Sequence, residues 1–387
     1  MSLLGLNLTL AIGQFEPAPA PQSLTQALQR VEVTRTDDGP SGFQLTFYGD
    51  RSGPFAPDYA LLTSPLLQPF NRVLLTVTIN GTPRVLLDGI ITHQQLQPGD
   101  FERGSTLVVT GEDVSVMMDL IQVSIEYPSS DDAIIVGIIL AKYIALGIVP
   151  EIVPPVTSFL RTPEEGTWQQ NGTDRNELQN LAANHGYIFC IRPGPVTGMN
   201  TAYWGPPPYT GLPQKAISVN LGPATNTLSA SFSYNALAPT LVAGLFQDPE
   251  TETDLPVAIL TSTRTPLSAR PALLGQRFNR MLLFNQALQA NAGYPTAIDI
   301  TDAIASAQAI TDASTDNVVT VEGELDTLRY NDLLTAPGLV GLRGAGDSYD
   351  GTYYVKSVTH TISNQDYRQK FTLTREGLGS LTQRVMP

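Results

Sequence analysis

The chain has 387 residues, with 36 Asp plus Glu against 22 Lys plus Arg, a formal net charge of −14 and one cysteine. That acidic balance excludes a surface built to displace counterions from nucleic acid, which needs clustered Lys and Arg, and a single cysteine excludes an internal disulfide or a four-cysteine metal centre. The length predicts two or three domains, the 42% hydrophobic content excludes disorder, and the 15% of charged residues leaves much of the polar surface to Ser, Thr, Asn and Gln.

Leu4, Leu6, Leu8, Leu10 and Ile12 recur at period two, which predicts a strand with one buried face. The Pro-rich run Glu16–Pro21 ends it. Leu24–Thr36 reads as a second strand region, Asp37-Asp38-Gly39-Pro40 as a turn, and Phe43, Leu45 and Phe47 resume the alternation. A Pro-rich loop covers Gly49–Pro69. Val73–Ile79 and Arg84–Ile91 are strands joined through Asn80-Gly81, the strongest short hairpin signal. Ser105–Gly111 adds another strand. Six or seven short strands separated by turn signals predict an antiparallel barrel or sandwich over residues 1–115.

The pattern then changes. Ser129-Ser130-Asp131-Asp132 is a helix-capping run, and Ala133–Leu146 is apolar almost all round, which predicts a buried helix ended by Gly147. Asp174 and Glu177 have capping-box spacing at the start of a second helix, with Leu178, Leu181 and Ala182 facing the core and His185-Gly186 at its end. A strand, Tyr187–Arg192, follows. Residues 116–215 form a small α+β unit.

Strands return at Ile217–Leu221, Leu228–Tyr234 and Thr240–Phe246. Asp248–Asp254 reads as a solvated acidic loop, and residues 255–290 carry little pattern, with Met281–Phe284 open to strand or helix. Ile300, Ala303, Ile304, Ala307 and Ile310 have helical spacing. Asn317–Glu322 is a strand, and Leu325–Leu342 holds two irregular ones. Asp350–Gly377 is a hairpin turning at Ser363-Asn364-Gln365-Asp366, with Tyr367, Gln369, Phe371 and Leu373 on one face of its return strand. A lone hairpin is marginal in water, so this one must close a larger sheet. The predicted architecture is mainly β with α+β: β over 1–115, α+β over 116–215, and β over 216–387 with an inserted helix and irregular segment at about 248–315.

No constellation of catalytic residues emerges. His93, His185 and His360 share no metal spacing, and no Gly-x-Ser-x-Gly elbow exists. Gly341-Leu342-Arg343-Gly344-Ala345-Gly346 lacks the Lys-Ser/Thr ending of a phosphate loop and reads as a turn. Asp347 and Asp350 lack the remaining positions of a calcium loop. Glu164-Glu165 and Asp131-Asp132 read as solvated charge. Asn7, Asn80 and Asn171 begin glycosylation sequons, which mean little without a secretory signal. Cys190 reads as a small buried hydrophobe on a strand. Met1–Ile12 has no basic n-region, and no apolar run reaches the ~18 residues of a membrane span. The expectation is a soluble, non-enzymatic protein without catalytic residues, metal or cofactor, made in a cytoplasm.

The order of these features resembles the tail hub proteins of contractile phages, the late control protein D family, and the corresponding part of the VgrG spike proteins. Four stretches carry the likeness: Arg30–Phe47; Val73–Gly111 with Val85-Leu86-Leu87-Asp88-Gly89 at its centre; the helix 133–146 followed by Trp168–Ile191; and the ending GTYYVKSVTHTISNQDYRQKFTLTRE. The resemblance implies two β-barrel tube-type domains, near-copies of each other, flanking the α+β unit. It implies a homotrimer whose six barrels form a pseudo-sixfold ring, joining a sixfold tail tube to a threefold spike in the baseplate of a virion assembled in the host cytoplasm. The implied partners are a spike protein below, a tail tube or tube-initiator protein above, and wedge or LysM-type baseplate proteins. DNA would pass through the channel without specific binding, and the acidic balance suits such a channel. The chain stops soon after Arg375, where secretion spikes continue into a neck and needle, so a separate spike polypeptide is expected. The alternative is a glycan-binding or adhesin β-protein, for which Tyr203, Trp204 and Tyr209 are the aromatic cluster to consider. A peptidoglycan hydrolase would need a paired acid and nucleophile in a cleft.

Overall fold

The structure, a computed structural model, describes residues 2–3, 6–14, 16–37, 39–49, 58–99, 104–128, 130–155, 168–194, 196, 198–247, 252–283 and 300–381. The front of the chain forms β1 (Ser2–Leu3), β2 (Leu6–Gly13), β3 (Ala18–Pro19), α1 (Gln22–Ala27), β4 (Leu28–Thr36), β5 (Gly42–Tyr48), β6 (Arg72–Ile79), β7 (Thr82–Gln97) and β8 (Thr106–Asp113). The middle holds β9 (Gln122–Tyr127), α2 (Asp132–Ala141), β10 (Ile148–Ile152), β11 (Trp168–Thr173), α3 (Asp174–Asn184), β12 (Ile188–Pro193) and β13 (Asn200–Gly205). The back holds β14 (Gln214–Ser218), β15 (Thr227–Tyr234), β16 (Thr240–Gln247), β17 (Asp254–Ile259), β18 (Ser268–Pro271), α4 (Ala272–Gly275), β19 (Arg280–Leu283), α5 (Ile300–Asp316), β20 (Val319–Asp326), α6 (Thr327–Tyr330), β21 (Gly338–Arg343), β22 (Gly351–Ser363), β23 (Tyr367–Arg375) and β24 (Gly377–Ser380). The protein is mainly β with an α+β unit.

Front and back join into one sheet of fourteen strands among the described residues. The join is β22, the first strand of the hairpin closing the chain. Its first half pairs β21 and its second half pairs β4, with Ser357 opposite Thr36 and Ser363 opposite Arg30. The front strands wrap one core built on Leu10, Ile12, Val33, Leu45, Phe47, Leu75 and Ile91, which also takes in Ile362 and Tyr367 from the hairpin. The back strands wrap a second core built on Ile217, Val321, Val340, Tyr353, Val355 and Leu373.

The two halves repeat. Numbering six strands of each half in chain order, the front (β2, β4, β5, β6, β7, β8) lies in the spatial order 1-4-5-6-3-2, and the back (β14, β15, β20, β21, β22, β23) lies in the same order. Irregularities recur at matching places. Strand 5 slips against strand 6 between Ile91 and His93 in front and between Val355 and Ser357 behind. Strand 2 slips against strand 3 between Leu28 and Arg30 in front and between Thr227 and Ser229 behind. Bulges re-aim a strand and persist as built features, so these two coincident positions align the halves residue by residue. The halves differ at strand 1, which pairs strand 4 antiparallel in front and parallel behind. In both, an aromatic ring covers a directly opposed glycine: Phe43 over Gly111, and Phe371 over Gly323. A Cβ on Gly111 or Gly323 would come within 2.5 Å of that ring.

Four expectations are corrected. Leu24–Thr36 is not all strand: Gln22–Ala27 is helical, because the Pro21 carbonyl accepts from Leu24 and Thr25 and one apolar side chain, Leu24, needs burial there. The helix over 133–146 stops at Ala141 and is not buried all round. Ile135, Val136, Ile139 and Leu140 pack inward, whereas Ile134 and Ile138 are 47% and 46% exposed, because among the described residues nothing covers that side. Thr240–Phe246 is a strand but belongs to a separate three-stranded sheet with β17 and β19, packed on α5 through Val242, Val257, Ala303 and Ala307. Met281–Leu283 is strand, and Leu325–Leu342 holds a helical turn and one strand.

Candidate functional site: the polar face of the shared sheet

Strand alternation sets what this face carries. On β4, Val31 and Val33 point to the core, while Glu32 and Thr34 point away. On β22, Val358, His360 and Ile362 point in, while Ser357, Thr359 and Thr361 point out. On β23, Tyr367, Gln369, Phe371 and Leu373 are buried and Arg368 and Lys370 exposed. The outward face is thus a field of hydroxyls continuous across the front–back join. Thr34 and Thr359 hydroxyls meet there at 2.9 Å, and Thr361 Oγ1 donates to Glu32 at 3.4 Å. The charges alternate in sign: Arg30 lies 2.6 Å from Glu32, and Arg368 pairs with Asp366 and, at 3.4 Å, with Glu324. Exposed pairs of this kind contribute little stability. Their effect is to leave the face close to electrically balanced, so the acidic excess of the chain is not gathered on it.

Beneath the face lies His360, fully buried, its Nδ1 3.0 Å from the Tyr367 hydroxyl. Burial, aided by the Arg35 guanidinium, lowers its pKa from 6.5 to about 3, so the ring is neutral in the fold. Protonation is favoured only in the unfolded chain. The stability tied to the neutral ring is complete above about pH 6.5 and is lost as pH falls toward 3, at about 1.4 kcal/mol per unit. Between about pH 7 and pH 5, wild type should therefore lose about 2 kcal/mol more than His360→Leu in urea unfolding. Equal losses would remove His360 as the cause.

The residues singled out by sequence scatter rather than converge. His185 Nε2 sits 2.8 Å from Asp132 Oδ2, His93 is exposed on β7, and His360 is in the core. Among the described residues no three His, Cys, Asp or Glu side chains group as metal ligands. Gly341–Arg343 of the glycine-rich stretch end β21 and are strand, not turn, whereas Asp350 Oδ1 accepts from Ala345 N and closes the turn that the rest of the stretch makes. In that turn Gly344 has φ +90, and a Cβ there would lie 2.0 Å from the Val219 carbonyl. Cys190 is buried on β12, and burial pushes its thiol up to about 12. Asp131 is not merely solvated charge: its side chain caps α2, accepting from Ile134 N at 2.7 Å. Glu164-Glu165 lies outside the described residues. The cap of α3 is Thr173, accepting from Asn176 N. Asp174 and Glu177 instead turn inward, Asp174 to Lys142, Tyr143 and Gln170, and Glu177 to the Trp168 indole N–H.

The aromatic cluster is not a platform. Trp204 is 0% exposed, Tyr203 lies under the Arg192 guanidinium at 4.3 Å, and Tyr209 packs on Tyr354 with ring centres 5.1 Å apart. The sequence reading missed the hydroxyl face itself. Its signal was there, in the Thr and Ser at alternate positions of 30–36 and 357–363, but alternation does not tell which strands lie side by side.

No protein-family model matches the chain, and no curated protein matches it in sequence. Among solved structures it is similar to a tail protein from Neisseria meningitidis, at 12% identity over 97% of this chain and 98% of that chain, with a TM-score of 0.61. It is similar to the 43 kDa tail protein of prophage MuSo2 from Shewanella oneidensis, at 11% identity over 96% and 98%, with a TM-score of 0.63. It is also similar to an E. coli protein that is a component of the type VI secretion system, at 11% identity over 90% and 73%, with a TM-score of 0.52. The chain has the fold of these tail and injection-device proteins. No helix among the described residues is long and apolar enough to cross a membrane.

Proposed function

We propose that the protein is the structural baseplate hub of a contractile tail, a non-enzymatic trimer in which three chains make a pseudo-sixfold ring around a channel. The observation that carries this reading is the repeat. One chain supplies two halves of one sheet, of the same strand order and joined by a shared strand, so three chains supply six equivalent units. Such a ring matches a sixfold tube through its units and a threefold spike through its chains. Closure also removes strand edges that would otherwise aggregate. The two tube-type units are residues 1–115 and 216–387, with 116–215 between them as an α+β domain. The tail tube or its initiator docks on one rim of the ring, a separate spike protein on the other, and wedge or LysM-type proteins outside.

The hydroxyl face of the sheet lines the channel. A polyanion passing a balanced, Thr- and Ser-rich wall meets neither a basic patch to hold it nor an acidic one to repel it. The particle is a virion tail, assembled in the host cytoplasm. A glycan-binding role lacks the exposed aromatic groove it would require at 203–209, since those rings are buried.

The test is the mass and shape of the purified protein at high micromolar concentration. The expected particle has three times the 41.7 kDa chain mass and appears in electron micrographs as an open ring of six lobes. A single monomeric species at that concentration would overturn the proposal.

A further inference from the structure

The alignment of the two halves identifies the edges on which one copy meets the next. This inference rests on the three-chain ring proposed above and deepens it to a named pair of strands and a register. Within the chain, the second half of strand 5 of the back unit has left strand 4 and takes strand 2 of the front unit as a neighbour: β22 pairs β4, with Thr359 opposite Thr34. The same two positions exist once more without partners. In front, β7 pairs β6 only as far as Ile90, while residues 93–97 pair β8 alone. Behind, β15 is the last strand of the sheet and pairs β20 alone. Both statements hold among the described residues. Strand edges of this kind are templates for pairing with another chain.

We infer that residues 93–97 of one copy pair antiparallel with β15 of a second copy, repeating between chains the join that β22 and β4 make within one. The matched bulges fix the register. Val355 and Ser357 correspond to Ile91 and His93, and Leu28 and Arg30 correspond to Thr227 and Ser229. Thr359 therefore corresponds to Gln95 and Thr34 to Ser233, which places Gln95 opposite Ser233 and Leu96 opposite Phe232. The side-chain chemistry agrees with that placement. Leu96 and Phe232 are half-buried apolar residues, each packed against its own core, so the pair faces inward as His360 and Val33 do. Gln95 and Ser233 are exposed and uncharged, so they meet on the hydroxyl face without like-charge repulsion. A one-residue slip would set inward Leu96 opposite outward Ser233, which ties the register to the burial pattern. The contact is heterologous, β7 of one copy on β15 of the next, and such contacts close into rings when the rotation allows.

Cysteine pairs test this in the full-length chain. Residues directly opposed across an antiparallel pair lie close enough for a disulfide, and buried Cys190 stays out of the exchange. Under mild oxidation the double variant Gln95→Cys/Ser233→Cys should convert to covalent dimers and trimers that collapse to monomer on reduction. Gln95→Cys/Ser229→Cys, displaced along the same strand, should not. Thr34→Cys/Thr359→Cys is the matching pair inside one chain. It should close a disulfide without changing the covalent mass class, which confirms that the conditions oxidise a pair in this geometry. If native mass shows three chains but Gln95→Cys/Ser233→Cys stays uncrosslinked while the internal pair closes, the edge assignment is wrong and the ring stands. If the chain is monomeric, the ring and the edge fall together.

Discussion

Asp88→Ala should destabilise the protein by about 3–5 kcal/mol, the range for removing one partner of a buried ion pair. Asp88 is 3% exposed on β7. Its carboxylate accepts from Arg72 Nε at 2.7 Å and Nη2 at 2.6 Å, and from Asn200 Nδ2 at 2.9 Å. Arg72 Nη2 also donates to the Gly198 carbonyl at 2.8 Å. Arg72 belongs to the front sheet, whereas Gly198 and Asn200 belong to the middle unit, so one carboxylate fastens the two together. Its loss leaves a guanidinium, 16% exposed, without its anion, and a buried amide without its acceptor. The cost is that of stranded partners, not of the lost bonds alone. The chain has two tryptophans, Trp168 and Trp204, both in the middle core, so indole fluorescence reports that unit and far-ultraviolet circular dichroism the sheets. In Asp88→Ala the two urea transitions should separate, with fluorescence moving first. Asp88→Ala combined with Arg72→Leu should recover much of the loss, because the stranded charge is gone. A loss under about 1 kcal/mol in the single variant would mean that solvent reaches the site and repays the pair.

The elements that sequence made legible are those whose local chemistry leaves one solution. Asn80-Gly81 takes up positive φ at both residues, 50° and 79°, and the turn it forms joins β6 to β7. The closing hairpin follows from alternating Tyr, Val, Thr and Phe, and Leu178, Leu181 and Ala182 of α3 fall in the core as their spacing implies. What sequence could not supply is partnership. Val33 and Phe232, or Phe43 and Val321, stand at equivalent places in the two halves and share only apolar character. Packing selects for burial and volume, and leaves residue identity free. The repeat is further broken at one turn: strand 2 reaches strand 3 through residues 37–41 in front, but through 235–318 behind, where the sheet of β16, β17 and β19 with α5 intervenes. Alternation in Thr240–Phe246 reported a strand truthfully and said nothing of its sheet. The hydroxyl face was hidden for the same reason, since it exists only once β4 and β22, far apart in the chain, lie side by side.

Trp204→Ala should cost about 3–5 kcal/mol of folding stability and should leave retention on glycans unchanged. The ring is 0% exposed, its Nε1 donates to the Leu178 carbonyl at 3.2 Å, and it meets Tyr187 edge-on at 5.1 Å and His185 at 5.9 Å. It therefore holds β13 to α3 and to the end of that helix at once, and truncation opens a cavity that the surrounding sheet and helix cannot close without moving. Trp204→Phe keeps much of the volume and should lose less, chiefly the indole hydrogen bond, about 1 kcal/mol. The graded series separates two roles for this residue. A ring that packs gives a loss of stability that follows the volume removed, read as a falling fluorescence or dichroism midpoint, with no change in retention on immobilised glycans. A ring that binds sugar from a groove gives the reverse: an unchanged midpoint and lost retention. Because β10, β12 and β13 hold this core, and the Asp88 cluster anchors β13 to the front sheet, the first outcome carries a further consequence. If the proposed ring forms, Trp204→Ala should also lower the fraction of three-chain particles at a given concentration, by loosening the middle unit against both halves of the sheet. An alanine variant with an unaltered midpoint would show that the middle core can do without its largest side chain, and would remove Trp204 from any account of how the two halves are held.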